Sequence, residues 1–156
     1  MNPTSIQPTS RNKMNQIIRI SLFFMALTGF AQMPIFKRYY IADIPGLGWL
    51  DQFYLTHYLH YLTGAFLIGL VSYQIGTYFL ESRHRFRVTV MGYIRGSALT
   101  GLMLTGILMM IKNFPGYGYP PSMIIALDLA HIGFTLMFLA ASAWALAGKQ
   151  KWLEKI

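Results

Sequence analysis

A chain of 156 residues in which 54% are apolar and only 12% charged is of single-domain length, but its balance is wrong for an ordinary soluble domain. Thirteen Lys and Arg against five Asp and Glu give a net charge of +8, which would suggest nucleic acid for a soluble protein; the long apolar runs exclude that partner and point to a lipid bilayer. The absence of cysteine excludes a disulfide framework, a thiolate zinc site and an iron-sulfur cluster held by this chain alone, so any redox centre must use other ligands.

Four hydrophobic segments, at about 17–36, 52–80, 94–113 and 122–147, each approach the ~20 residues a helix needs to cross a bilayer. They predict an all-α integral membrane protein, a four-transmembrane-helix bundle forming one membrane domain over 1–156. The first segment follows Arg11 and Lys13 and ends in small residues near Ala26 to Ala31, an outline shared with signal peptides; it is read here as a retained transmembrane helix. The connection after it, PIFKRYYIADIPGLGWLDQ, has two Pro-containing turns and places Tyr39, Tyr40 and Trp49 as an interfacial aromatic belt. The second segment opens on YLTHYLHYLTG, which sets His57 and His60 three residues apart in otherwise apolar or small surroundings. A basic connection follows, with His84 solvated between Arg83 and Arg85. The third segment, rich in Gly and Met, leads into KNFPGYGYPPS, whose prolines predict a stiff, folded cap. The fourth carries Asp128 and His131. Both outer connections admit two readings, interfacial anchoring or docking of an extrinsic partner. No internal sequence repeat or low-complexity segment is evident.

Basic residues set the orientation. Arg11, Lys13 and Arg19, then Arg83, Arg85, Arg87 and Arg95, then Lys149, Lys151 and Lys155 fall on one side, leaving only Lys37, Arg38 and Lys112 for the other. The positive-inside rule therefore puts both termini in the cytoplasm, with the second and fourth helices running inward from the outer face.

Ionisable groups at membrane depth are costly and usually line a cavity, a cofactor or a partner side chain. His60 lies about eight residues into the second segment and His131 about nine into the fourth, roughly 12 to 14 Å along each helix. Two level histidines on different helices are what axial ligation of a b-type haem requires. Gly64, one turn from His60, and Gly133, near His131, suit the approach of a flat macrocycle. The alternative is a pair of interhelical hydrogen bonds. His57 cannot reach the same iron from the same side, and three roles stay open to it: a hydrogen bond to a haem propionate, a place in a quinone pocket, or interfacial packing. Asp128 needs a cation or water, with Lys112, Arg38 or His57 as candidates; proton conduction and a loop-to-loop contact both fit.

The segments ISLFFMALTGF, LHYLTGAFLIGL, GLMLTGILMMI and LAHIGFTLMFL, in this order, resemble the cytochrome b membrane subunits of formate dehydrogenases and nickel-iron hydrogenases. That family is di-haem, with four or five helices in the bacterial cytoplasmic membrane. It passes electrons between an extracytoplasmic iron-sulfur subunit and the quinone pool. The resemblance implies that His60 and His131 ligate the outer haem. It also implies that the inner haem is lost, because Asn15 and Ala145 stand where the family has histidines. Tyr73 and Trp144, 13 residues beyond His60 and His131, are then expected to project toward the vacated layer. A quinone, menaquinone or ubiquinone, is an alternative occupant, with Asn15, Arg19, Gln74 or Arg95 as hydrogen-bond partners. The expected function is that of an electron-transfer subunit holding one bis-His haem b, partnered by an extracytoplasmic iron-sulfur or multihaem cytochrome subunit. No residue stands out as a catalytic acid or nucleophile. The competing expectation is a haem-free anchor or assembly subunit of a respiratory complex.

Overall fold

The computed structural model describes residues 8–33 and 41–156, with the side chains of residues 8–12 and 42 outside the description. Lys37, Arg38, Tyr39 and Tyr40, and the side chain of Arg11, therefore lie outside the described residues. Four long helices run in chain order: α1 over Pro8–Ala31, α2 over Phe53–Thr77, α3 over Val90–Ile111 and α4 over Pro121–Ala147. All four contain a stretch long and apolar enough to cross a membrane.

The helix ends differ from those expected wherever hydropathy and helix formation part company. α1 begins at Pro8 instead of residue 17, since Pro suits the first helical position and the polar residues after it are adequate helix formers outside lipid. It stops at Ala31 instead of residue 36. Gln32 and Met33 bond back to the Gly29 and Phe30 carbonyls, and the residue preceding Pro34 is disfavoured from helical geometry. α2 closes through a π-helical turn at Tyr78–Ser82, with the Arg83 amide reaching the Tyr78 carbonyl at 2.9 Å.

The distribution of side chains is inverted relative to a soluble bundle. Among the described residues the buried polar side chains, Ser21, Thr28, Thr56, Arg95 and Thr105, nearly match in number the buried apolar ones, Leu50, Leu67, Ala98, Leu127, Phe138 and Ala145. Large apolar side chains meanwhile lie outside: Phe23 is 65% exposed, Leu129 65% and Leu146 81%. Water would penalise such a surface heavily, whereas lipid is its natural solvent. The buried threonines return their hydroxyl protons to their own helices, as Thr56 does to Gln52 and Phe53, which lets a polar atom sit in an apolar setting.

The chain divides into two units, Met1–Tyr73 and Gln74–Ile156. In the first, α1 meets α2 through a small number of polar contacts, and a 3₁₀ turn at Gly48–Asp51 buries Leu50 completely. In the second, α3 turns a stripe of Gly92, Arg95, Ala98, Gly101 and Thr105 inward. Small residues on such a stripe let two membrane helices approach closely. Gly101 receives the ring of Phe134, and a Cβ there would stand 2.6 Å from it.

The same unit is closed at one end by a feature the hydropathy pattern does not announce. β1, Phe86–Val88, pairs antiparallel with β2, Leu153–Lys155, in the register Phe86 to Lys155, Arg87 to Glu154 and Val88 to Leu153. Thr89 fastens the junction. Its hydroxyl accepts from the Gly92 amide at 2.9 Å, capping α3, and donates to the Lys151 carbonyl at 2.8 Å. Gly92 has no room for a side chain, because a Cβ would collide with the Trp152 carbonyl. The pairing brings Arg83, Arg85 and Arg87 to the same end of the unit as Lys149, Lys151 and Lys155.

Both connections expected to be folded contain the same device. Ile44-Pro45-Gly46-Leu47 and Phe114-Pro115-Gly116-Tyr117 each close with a bond from the fourth amide to the first carbonyl, at 2.9 and 3.2 Å. Gly46 at φ 89° and Gly116 at φ 88° occupy the third position, as a type II turn demands.

Candidate functional site

In the first unit the Thr28 hydroxyl lies 2.7 Å from the Phe24 carbonyl and 2.9 Å from Nδ1 of His60. A carbonyl oxygen has no proton to give, so the short contact to Phe24 uses the hydroxyl's only hydrogen. Nδ1 of His60 must then carry a proton and donate to the Thr28 oxygen. For a neutral ring this leaves Nε2 as the lone-pair nitrogen, which is the form that ligates a metal. Gly29 lies against the ring edge, where a Cβ would stand 3.2 Å from Cε1 of His60.

The second unit repeats this construction. The Thr105 hydroxyl donates to the Gly101 carbonyl at 2.7 Å and accepts from Nδ1 of His131 at 2.8 Å. A Cβ on Gly106 would stand 3.6 Å from Cε1 of His131. Each unit thus presents, in the same order, a Leu-Thr-Gly on its first helix, a Pro-Gly turn and a histidine on its second helix. This is a likeness of contacts and not an internal sequence repeat, since Leu-Thr-Gly also stands at 62–64 and 99–101. The repetition lies in the contacts of Leu27-Thr28-Gly29 and Leu104-Thr105-Gly106, and the intervening residues bear no evident likeness.

His57 is bound differently. Its Nδ1 stands 2.7 Å from Oε1 of Gln32, whose Nε2 donates to the Thr28 carbonyl at 3.1 Å. The ring stacks on Phe53 and tilts against Tyr61. His57 and His60 are therefore both tied to the last turn of α1, His57 through an amide and His60 through a hydroxyl. Asp128 has Lys112 as its cation, at 3.8 Å and partly exposed.

Gly64 faces the side chain of Met25 at 3.5 Å, and among the described residues nothing comes within 4 Å of a Cβ on Gly133. Of the residues named for an inner layer, Asn15, Arg19, Tyr73 and Trp144 are exposed and Gln74 is half-buried. The reason for Tyr73 and Trp144 is rotation: 13 residues turn the helix face by about 220°, away from the histidines they follow. Arg95 alone is buried, at 6% exposure. Its guanidinium lies 4.1 Å from the centre of the Trp152 ring, and its Nη2 has no hydrogen-bond partner among the described residues.

Depth also shifts once the helix starts are known. His60 follows Phe53 by seven residues and His131 follows Pro121 by ten, or roughly 10 and 15 Å along their own helices. Among the described residues no group of three or more His, Cys, Asp or Glu is placed to hold a metal ion; a haem iron takes only two protein ligands.

Thr28, Thr105 and Gln32 are absent from the residues picked out by ionisability. The Leu-Thr-Gly triplet does not single them out, because it stands at 62–64 and 99–101 as well as at 27–29 and 104–106. Comparison with protein-family profiles, curated protein sequences and solved structures gives no match.

Proposed function

We propose that this chain is a multi-pass, membrane-embedded b-type cytochrome subunit in which His60 and His131 together hold one haem b. The observation that carries this reading is the paired threonine-to-imidazole contact. Each ring donates through Nδ1 to a threonine oxygen, which makes Nε2 the electron-pair nitrogen, and each has a glycine where a Cβ would stand 3.2 or 3.6 Å from its Cε1. In each of these contacts the acceptor is a neutral hydroxyl, which suits an imidazole that would hold a low-spin iron in an apolar shell.

A bound haem would supply one-electron exchange, here between menaquinone or ubiquinone and an extracytoplasmic iron-sulfur or multihaem cytochrome subunit. The chain's own contribution is to bind, orient and insulate; the substrate reaction belongs to another subunit. Gathering of six basic side chains at the β1–β2 end of the second unit supports a cytoplasmic face there, in a bacterial inner membrane with both termini inside. The Pro115-Gly116 turn, at the end of α3 opposite the β1–β2 pair, suits an extrinsic partner on the outer face.

The same threonine contacts would also serve a haem-free anchor, as interhelical hydrogen bonds within each unit. A reduced-minus-oxidised spectrum of the purified protein separates the two. An alpha band in the parent, lost in His60→Ala and in His131→Ala but largely kept in His57→Ala, is expected. Absence of the band in the parent, or its survival in His60→Ala, overturns the assignment.

A further inference from the structure

The two histidines are held by neighbours of one kind, and those neighbours have more to do than fill space. Thr28 is completely buried and Thr105 nearly so. Each spends its proton on its own helix at 2.7 Å, which turns the remaining oxygen lone pair into a fixed acceptor aimed at Nδ1 across the helix pair. A serine or threonine that merely satisfies itself in a membrane helix needs only the first of these bonds. The second bond is made in both units, at 2.9 and 2.8 Å, by a residue at the same place in the repeated triplet. The glycine that follows leaves room for the ring edge, since a Cβ there would stand 3.2 Å from Cε1 of His60 and 3.6 Å from Cε1 of His131.

We infer that Thr28 and Thr105 are matched positioning residues for the two metal-binding imidazoles: they hold the Nδ1–H form, orient the ring and set the donor strength of Nε2. The inference rests on the haem reading above and specifies how the chain tunes that site. An Nδ1–H that donates a hydrogen bond shifts electron density toward Nε2, making it a stronger donor that favours ferric over ferrous iron. Because the acceptor is a neutral hydroxyl on both sides, neither bond carries a charge into the bilayer.

The test replaces each hydroxyl with a methyl group of the same shape. Thr28→Val and Thr105→Val are compared with Thr28→Ser and Thr105→Ser in the full-length protein, by haem content, redox titration and electron paramagnetic resonance of the low-spin ferric state. The valine variants are expected to bind haem with a raised midpoint potential, equivalent to about a two- to tenfold higher ratio of reduced to oxidised haem at fixed potential. Their g values should shift, and serine should restore both readouts. Loss of haem from a valine variant with retention in the serine variant also supports a positioning role. Valine variants with the parent's potential and g values overturn it, as does equal loss of haem from valine and serine variants, which would make the position one of packing. A parent protein without haem defeats the functional reading itself, and is seen before any variant is made.

Discussion

The two units place a histidine by the same contacts but are held together by different means. In Gln74–Ile156, α3 and α4 approach through glycine and alanine, Phe134 fills the space over Gly101, and the β1–β2 pair with the Thr89 bonds fastens the open end. In Met1–Tyr73, α1 and α2 meet through His60 on Thr28, His57 on Gln32 and Met25 against Gly64. The difference teaches that the imidazole-holding device is separable from the packing around it. One unit embeds the device in a close apolar seam, whereas in the other the device and its polar neighbours form much of the seam.

Breaking the seam should therefore matter most where it is tightest. Gly101→Ala forces a Cβ against the Phe134 ring and is expected to cost about 1–3 kcal/mol, read as a lowered melting temperature in detergent. Gly64→Ala meets only the flexible end of Met25 at 3.5 Å and should leave the melting temperature unchanged or raise it, since Ala outranks Gly inside a helix. Equal destabilisation by the two would erase the contrast between the units.

The device itself can be compared at its second contact. Gly29→Ala puts a methyl group 3.2 Å from Cε1 of His60, close enough to push the ring, whereas Gly106→Ala places one 3.6 Å from His131, an ordinary contact. Haem retention should fall in the first variant and persist in the second, checked by haem-to-protein ratio after purification. The reverse order would mean that the ring edges are not located as described.

The smallest expected effect concerns how a helix in each unit ends. α1 stops ahead of Pro34, whereas α4 closes when Lys149 adopts φ 51° and the Gln150 amide reaches the Ala145 carbonyl at 2.8 Å. Glycine is preferred at such a position. Lys149→Gly should stabilise the second unit by about 1 kcal/mol, measured by the same thermal assay, with haem content unchanged.

What could be read from the residues follows from the length scale of each signal. Four apolar runs disclose four membrane-length helices because some twenty residues contribute to each. Pro45-Gly46 and Pro115-Gly116 disclose their turns because few other conformations suit that pair. Thr28 and Thr105 are harder to see, since a threonine in an apolar run has an ordinary reading in which it bonds only its own helix. Which face of α1 meets α2, and of α3 meets α4, must be known before the second bond is visible. The β1–β2 pair escapes for a related reason: three-residue strands carry no periodicity, and their partners are more than sixty residues apart. Tyr73 and Trp144 show the cost of counting depth without rotation, because residues at a useful level can still face outward.

The proposal that His60 and His131 hold one haem b is the central claim, and stoichiometry addresses it most directly. Quantified as the pyridine haemochrome against protein mass, the purified full-length chain should carry one protohaem, and His60→Ala and His131→Ala should each carry none. A value of zero in the parent, or of two, or one haem surviving in either variant, would contradict the account.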